Sequence, residues 1–157
     1  MKEFLSHLAV LLIPVLDPMG KKESDMIITQ QLLDELTRQA QSSPRLRMNL
    51  DLRNSDKDQS QRMLNAIEPG SPLPIHRHKH TSETVCCLRG RIVEEFYDEL
   101  ERICTDRIEL TPGGPVAVLN IPAGQWHTVK ALETGTVLLE CKDGSWEPLG
   151  DEDILNL

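Results

Sequence analysis

The sequence is short of positive charge. Its 17 lysines and arginines stand against 25 aspartates and glutamates, a net charge of −8, and no basic stripe runs along any segment. Nucleic-acid affinity rests on neutralising phosphates, so this balance argues against a nucleic-acid surface. Long hydrophobic runs are also missing. Residues 4–16, FLSHLAVLLIPVL, are mostly apolar but fall short of the roughly 20 residues that a membrane-spanning helix needs. Lys2 is the only basic residue ahead of that run and no small-residue cleavage site follows, which separates it from a secretory signal. The four cysteines (Cys86, Cys87, Cys104, Cys141) show no CxxC spacing. They read as small buried hydrophobes in a reducing compartment. GxSxG, GxGxxG and phosphate-cradling glycine loops are absent, and with them the usual nucleophile and dinucleotide sites. What is left is a cytoplasmic protein with a small-molecule ligand and neither nucleic acid nor membrane as partner; a homodimer stays open.

The chain is rich in metal-binding side chains at one place. Residues 70–90, GSPLPIHRHKHTSETVCCLRG, carry Gly70, His76, His78, Glu83 and Gly90, and Pro122, Gly124 and His127 follow. Three imidazoles and a carboxylate are a ligand set for one divalent first-row metal. Residues i and i+2 of a strand point to one face, so His76 and His78 can reach the same ion. His80 shares that parity and competes with them. Glu83 lies an odd number of positions beyond His78, so Lys79-His80-Thr81-Ser82 must turn or bulge to bring it back. His127 must arrive from a distant strand.

At 157 residues the chain is long enough for one domain with its own core. Leu32, Leu33, Leu36 and Ala40 fall on one helical face, Thr29 is placed to cap it, and Ser42-Ser43-Pro44 ends it. Arg45 through Asp58 is polar and mixed. Short apolar segments then alternate with turn residues: 62–67, 84–88, 91–97, 103–110, 116–121, 126–132 and 136–141. That rhythm predicts an all-β sandwich or barrel. Residues 1–25 are expected to lie outside the core, 26–150 to form the domain, and 151–157 to be a C-terminal tail.

The spacing resembles the cupin superfamily. The first cupin motif, Gly-x5-His-x-His-x4-Glu-x6-Gly, matches at every fixed position from Gly70 to Gly90. The second matches at its centre, Pro122-x-Gly124-x2-His127, and departs at its ends, where Val116 and Ala131 stand for the usual Gly and Asn. The resemblance implies an all-β cupin double-stranded β-helix, a jelly-roll barrel, preceded here by the N-terminal helix. It implies His76, His78, Glu83 and His127 as metal ligands, and places His80 on the rim because only His78 leaves a four-residue gap to Glu83. Gly90 and Gly124 become turn positions needing unusual backbone angles. Trp126, next to His127, should point away from the metal.

Further segments narrow the likeness. PRLRMN at 44–49, QRMLNAIEPGS at 61–71, HRH at 76–78, PAGQWHT at 122–128 and TGTVLLECKDG ending at 144 together resemble the WbuC-type cupin metalloproteins over about residues 26–150. That family is associated with bacterial surface polysaccharide gene clusters. The resemblance draws attention to Arg47, Asn49, Arg62 and Asn65 as substrate-binding residues at the barrel mouth, since guanidinium forks match carboxylate or phosphate oxygens.

One divalent transition metal is implied. Iron or manganese suits the mixed nitrogen and oxygen set, and zinc or nickel can also bind it. Such an ion polarises a carbonyl or hydroxyl, or activates dioxygen. Three readings follow: an isomerase- or epimerase-like enzyme on a small carbohydrate-derived molecule, a dioxygenase, or a non-catalytic sugar- or metal-binding module. No second acid–base residue is identifiable from spacing.

Overall fold

Thr29 caps the first element. Its side-chain oxygen accepts from the Leu32 amide at 3.2 Å and caps α1, Gln30–Ser42. The helix buries Leu32, Leu33, Leu36 and Ala40, the face its periodicity predicts. The structure is a computed structural model and describes residues 27–157. The proposed N-terminal extension, residues 1–25, lies outside the described residues.

Ten strands follow: β1 (Arg47–Asp51), β2 (Gln61–Ile67), β3 (Ile75–His76), β4 (Glu83–Arg89), β5 (Ile92–Tyr97), β6 (Cys104–Leu110), β7 (Val118–Ile121), β8 (Trp126–Ala131), β9 (Thr136–Lys142) and β10 (Ile154–Leu155). They form two five-stranded sheets, ordered β1-β2-β9-β4-β7 and β10-β3-β8-β5-β6, with every strand pair antiparallel. This is the jelly-roll barrel that the strand rhythm and the motifs led to expect.

Alternation along each strand builds two cores. Inward residues Val85, Cys87, Ile92, Leu110, Ile121 and Leu138 pack between the sheets. Outward residues Leu64, Ala66 and Val137 pack instead against Leu33, Leu36 and Ala40 of α1. Cys86 and Cys87 take opposite sides, as neighbours in a strand must, and all four cysteines are free. Gly90 has φ +76°, and a Cβ there would sit 2.9 Å from the Thr136 Cα. Only glycine can turn the chain from β4 to β5 so close to β9.

Two elements depart from the expectation. Strand β1 lies inside the stretch read as polar and mixed. Its Met48 and Leu50, with Leu52 just beyond, pack against the helix-facing core, so tertiary burial of three alternate residues makes the strand. Residues 151–157, expected to be a tail, carry a 3-10 turn at Asp151–Asp153 and then β10, which pairs with β3. Arg77 and Lys79 each lie 3.2 Å from the Asp153 carboxylate and pin that segment down. No helix among the described residues is long and apolar enough to cross a membrane.

Candidate metal centre

His76 and His127 stand directly opposite each other on β3 and β8, with ring centroids 4.5 Å apart. His78 lies just past the end of β3, where its carbonyl accepts from the Gly124 amide at 2.8 Å. Gly124 has φ +82°, so the glycine turn before β8 also holds the backbone of a candidate ligand. The ligand atoms of His76, His78 and His127 all lie within 4.8 Å of one another.

Glu83 enters from the other sheet. After β3 the chain leaves the strand conformation, crosses over, and resumes at Glu83, the first residue of β4. That crossing is the turn its odd spacing requires. Glu83 Oε2 lies 3.2 Å from His78 Nε2 and 3.9 Å from His127 Nε2. His80 is exposed and stays outside the cluster on the cavity rim.

The imidazoles are oriented from behind. His76 Nδ1 is 3.1 Å from the Pro74 carbonyl and His127 Nδ1 is 2.9 Å from that of Gln125. A carbonyl only accepts, so each Nδ1 carries the proton and each Nε2 presents a lone pair inward. Histidine metal ligands use this arrangement to fix tautomer and ring orientation. Burial holds the His76 imidazole down to about 4, assisted by His127 beside it, and burial also lowers His127. Both rings are therefore neutral near pH 7, the form that ligates.

His78 Nε2, His127 Nε2 and Glu83 Oε2 are buried and make no hydrogen bond. Leaving such atoms unsatisfied costs about 1–3 kcal/mol each, whereas one shared cation satisfies all three. Burial pushes the Glu83 carboxyl up, but His78, Lys142 and His127 outweigh it and keep the group ionised. The donor set fits a divalent metal.

Spacing alone did not reveal the rest of the interior. Lys142 Nζ lies 3.4 Å from Glu83 Oε2 and 2.8 Å from Glu140 Oε1. Gln61 Nε2 donates to Glu140 Oε1 at 2.7 Å, and Asn65 Nδ2 to Glu140 Oε2 at 3.1 Å. Glu94 faces the same interior from β5, with Oε2 buried and unpaired. Its carboxyl is raised well above the usual range, first by burial and then by Glu83 and Glu140. The available signal was strand parity: Glu94 alternates in step with Ile92 and Phe96, and Glu140 and Lys142 in step with Leu138.

A cavity of about 300 Å³ opens beside the centre, lined by Gln61, His78, His80, Lys142, Ser145 and residues 147–150. Trp126 turns away from it and stacks under Arg77 at 4.4 Å, as alternation requires. The four residues expected at the mouth divide. Asn65 reaches the interior through Glu140. Arg62 is on the opposite face of β2, paired with Asp58 at 2.9 Å, and does not face the metal centre. Arg47 lies opposite Ile67 and Asn49 opposite Asn65. Arg47 is thus at the end of β2 away from Gln61, about 20 Å along the strand at roughly 3.3 Å per residue. Arg47, Asn49 and Asn65 border a separate, smaller cavity.

Residues 28–110 match the family described as "Domain of unknown function (DUF6016)". No curated protein matches the sequence. Among solved structures, KdgF from Halomonas sp. aligns with a TM-score of 0.51 at 13% identity, over 67% of this chain and 84% of that one. Recombinant oxalate oxidase in complex with glycolate aligns with a TM-score of 0.54 at 14% identity, over 67% of this chain and 54% of its own. CapF, solved with the inhibitor 3-isopropenyl-tropolone, aligns at 0.50 and 22% identity, over 64% of this chain and 28% of its own. At these identities the likeness is one of fold, and the fold is that of the cupins.

Proposed function

Because the chain belongs to the DUF6016 family, whose description names no activity, we propose a function from the site: a mononuclear metal cupin acting on a small, polar, oxygen-rich molecule. The observation that carries this reading is the convergence of the His76, His78 and His127 ring nitrogens with the Glu83 carboxylate beside an open cavity. His76, His78, His127 and Glu83 would hold the ion. When bound, it supplies Lewis-acid polarisation of a substrate carbonyl or hydroxyl.

The chain's own residues do the remaining work. Lys142 and Gln61 line the cavity and can donate to substrate oxygens entering it. Glu140 sits between them and holds both side chains in place. This carboxylate–ammonium pair next to Glu83 is the acid–base equipment that an isomerase- or epimerase-like reaction needs, and it favours that reading over dioxygen chemistry or a purely binding role. Likeness to the WbuC-type cupins supports a carbohydrate-derived substrate from bacterial surface polysaccharide synthesis.

Metal analysis tests the centre. Purified protein should carry about one divalent ion per chain, iron or manganese by donor preference. Both His78→Ala and His127→Ala should lose it, while His80→Ala should retain it. Undiminished metal in the first two variants would remove the basis of this reading.

A further inference from the structure

We propose that Arg45, Arg47, Asn49 and Asn65 form a second binding site, separate from the metal centre, for a small oxyanion such as a phosphate or carboxylate group. Together with Met48 they line a cavity of about 160 Å³. Pockets for drug-sized ligands are roughly 300–1,000 Å³, so this one suits a single charged group.

The charge pattern is the first argument. In a chain of net charge −8, arginines find carboxylates easily: Arg53, Arg62, Arg77, Arg89, Arg91 and Arg107 all do. Arg45 and Arg47 have no ion-pair partner among the described residues, yet they border the same cavity. Burial lowers the Arg47 guanidinium's hold on its proton, and Arg45 beside it lowers it further. An anion between the two would relieve that repulsion.

Preorganisation is the second. Arg47 Nη1 donates to the Pro72 carbonyl at 2.6 Å, which aims the guanidinium and leaves its Nε and Nη2 edge free for a two-pronged contact. The backbone between the arginines is also fixed. Leu46 adopts φ +54°, a left-handed conformation that a branched side chain rarely takes. It is held there by bonds from its amide to the Ser43 carbonyl and from the Glu68 amide to its own carbonyl, both 2.9 Å. The Arg45 carbonyl accepts from Ser71 Oγ at 2.9 Å. Strained backbone held by its surroundings gathers at binding sites.

The inner wall is compatible with an anion. Asn65 gives one amide hydrogen to Glu140 and keeps a second. The Glu140 carboxylate behind it is already engaged by Asn65, Gln61 and Lys142.

Isothermal titration with inorganic phosphate tests the assignment. Wild-type protein should bind it saturably, about one per chain. Arg45→Ala, which removes an exposed side chain, should weaken binding about tenfold, and Arg47→Ala at least as much, the loss expected for a charged hydrogen bond. His78→Ala should bind phosphate as the parent does. No saturable binding in the wild type would overturn the proposal. So would loss in His78→Ala with retention in Arg45→Ala, which would place the anion at the metal centre. A phosphate response that disappears as the protein self-associates would assign the cavity to a second copy of this chain instead.

Discussion

The two ends of the barrel are built to opposite rules. At the end where β4 gives way to β5, polar groups are saturated. Arg89 donates to the Gly135 carbonyl, the Leu33 carbonyl, Asp34 and Thr37, at 2.5–2.9 Å. Glu68 accepts from Gln41, Thr134 and the Gly135 amide. These bonds fasten α1 across the barrel. At the other end, Glu83, His78 and His127 keep buried atoms that make no hydrogen bond. A fold that satisfies one end so fully and leaves the other wanting spends stability where it binds. The saturated end supplies rigidity, and the unsatisfied end waits for a charge from outside.

Chelation is the strongest way to break that contrast. With free metal about a thousandfold above its Kd, binding to the folded state contributes about 4 kcal/mol. Stripping the metal should lower the denaturant midpoint of the wild type accordingly and leave His127→Ala unchanged. Equal responses from the two proteins would mean that the metal is held elsewhere.

Next in size is the saturated end. Arg89→Ala strands several acceptors at once and should cost about 3 kcal/mol, read from the urea midpoint. The folded variant should keep its full complement of metal. Loss of metal in proportion to stability would show that the two ends are not independent.

The smallest effect sharpens the region between them. Burial raises the Glu94 carboxyl, so the native protein holds a proton that the unfolded chain releases above its ordinary value of 4.5. This contribution is fully present below pH 4.5 and is lost as pH rises toward the native pKa. Glu94→Gln cannot ionise. Its urea midpoint should fall less between pH 5 and pH 8 than that of the parent, and parallel pH curves would show that Glu94 is not a buried acid.

Much of this was legible in the sequence, for physical reasons. The helix face and seven strands were visible because apolar periodicity and turn residues are local signals. His76 and His78 were visible because strand parity is local too. Lys142 and Glu140 were not, because their value comes from meeting Glu83 and Gln61 across β4, β9 and β2, and nothing nearby in the chain marks them. Arg62 shows the complementary case: the resemblance drew attention to it as a ligand contact, while its parity on β2 puts it on the face opposite Asn65, where it pairs with Asp58. Arg47 was expected at the barrel mouth and lies instead opposite Ile67, at the far end of β2, since register between strands cannot be read from spacing within one. Strand β10 escaped notice because two residues are too few to carry a period.

The shortness of β3 has a consequence for the order of assembly. This two-residue strand carries His76 and gains its neighbours only from β8 and β10, both distant along the chain. Closing such long loops for so few bonds is entropically unfavourable until the rest of the barrel exists. The histidine arm is therefore expected to dock after the rest of the barrel. During synthesis, the polypeptide must be made through residue 155 before His76 is flanked on both sides, so the candidate ligand cluster is completed only with the barrel itself.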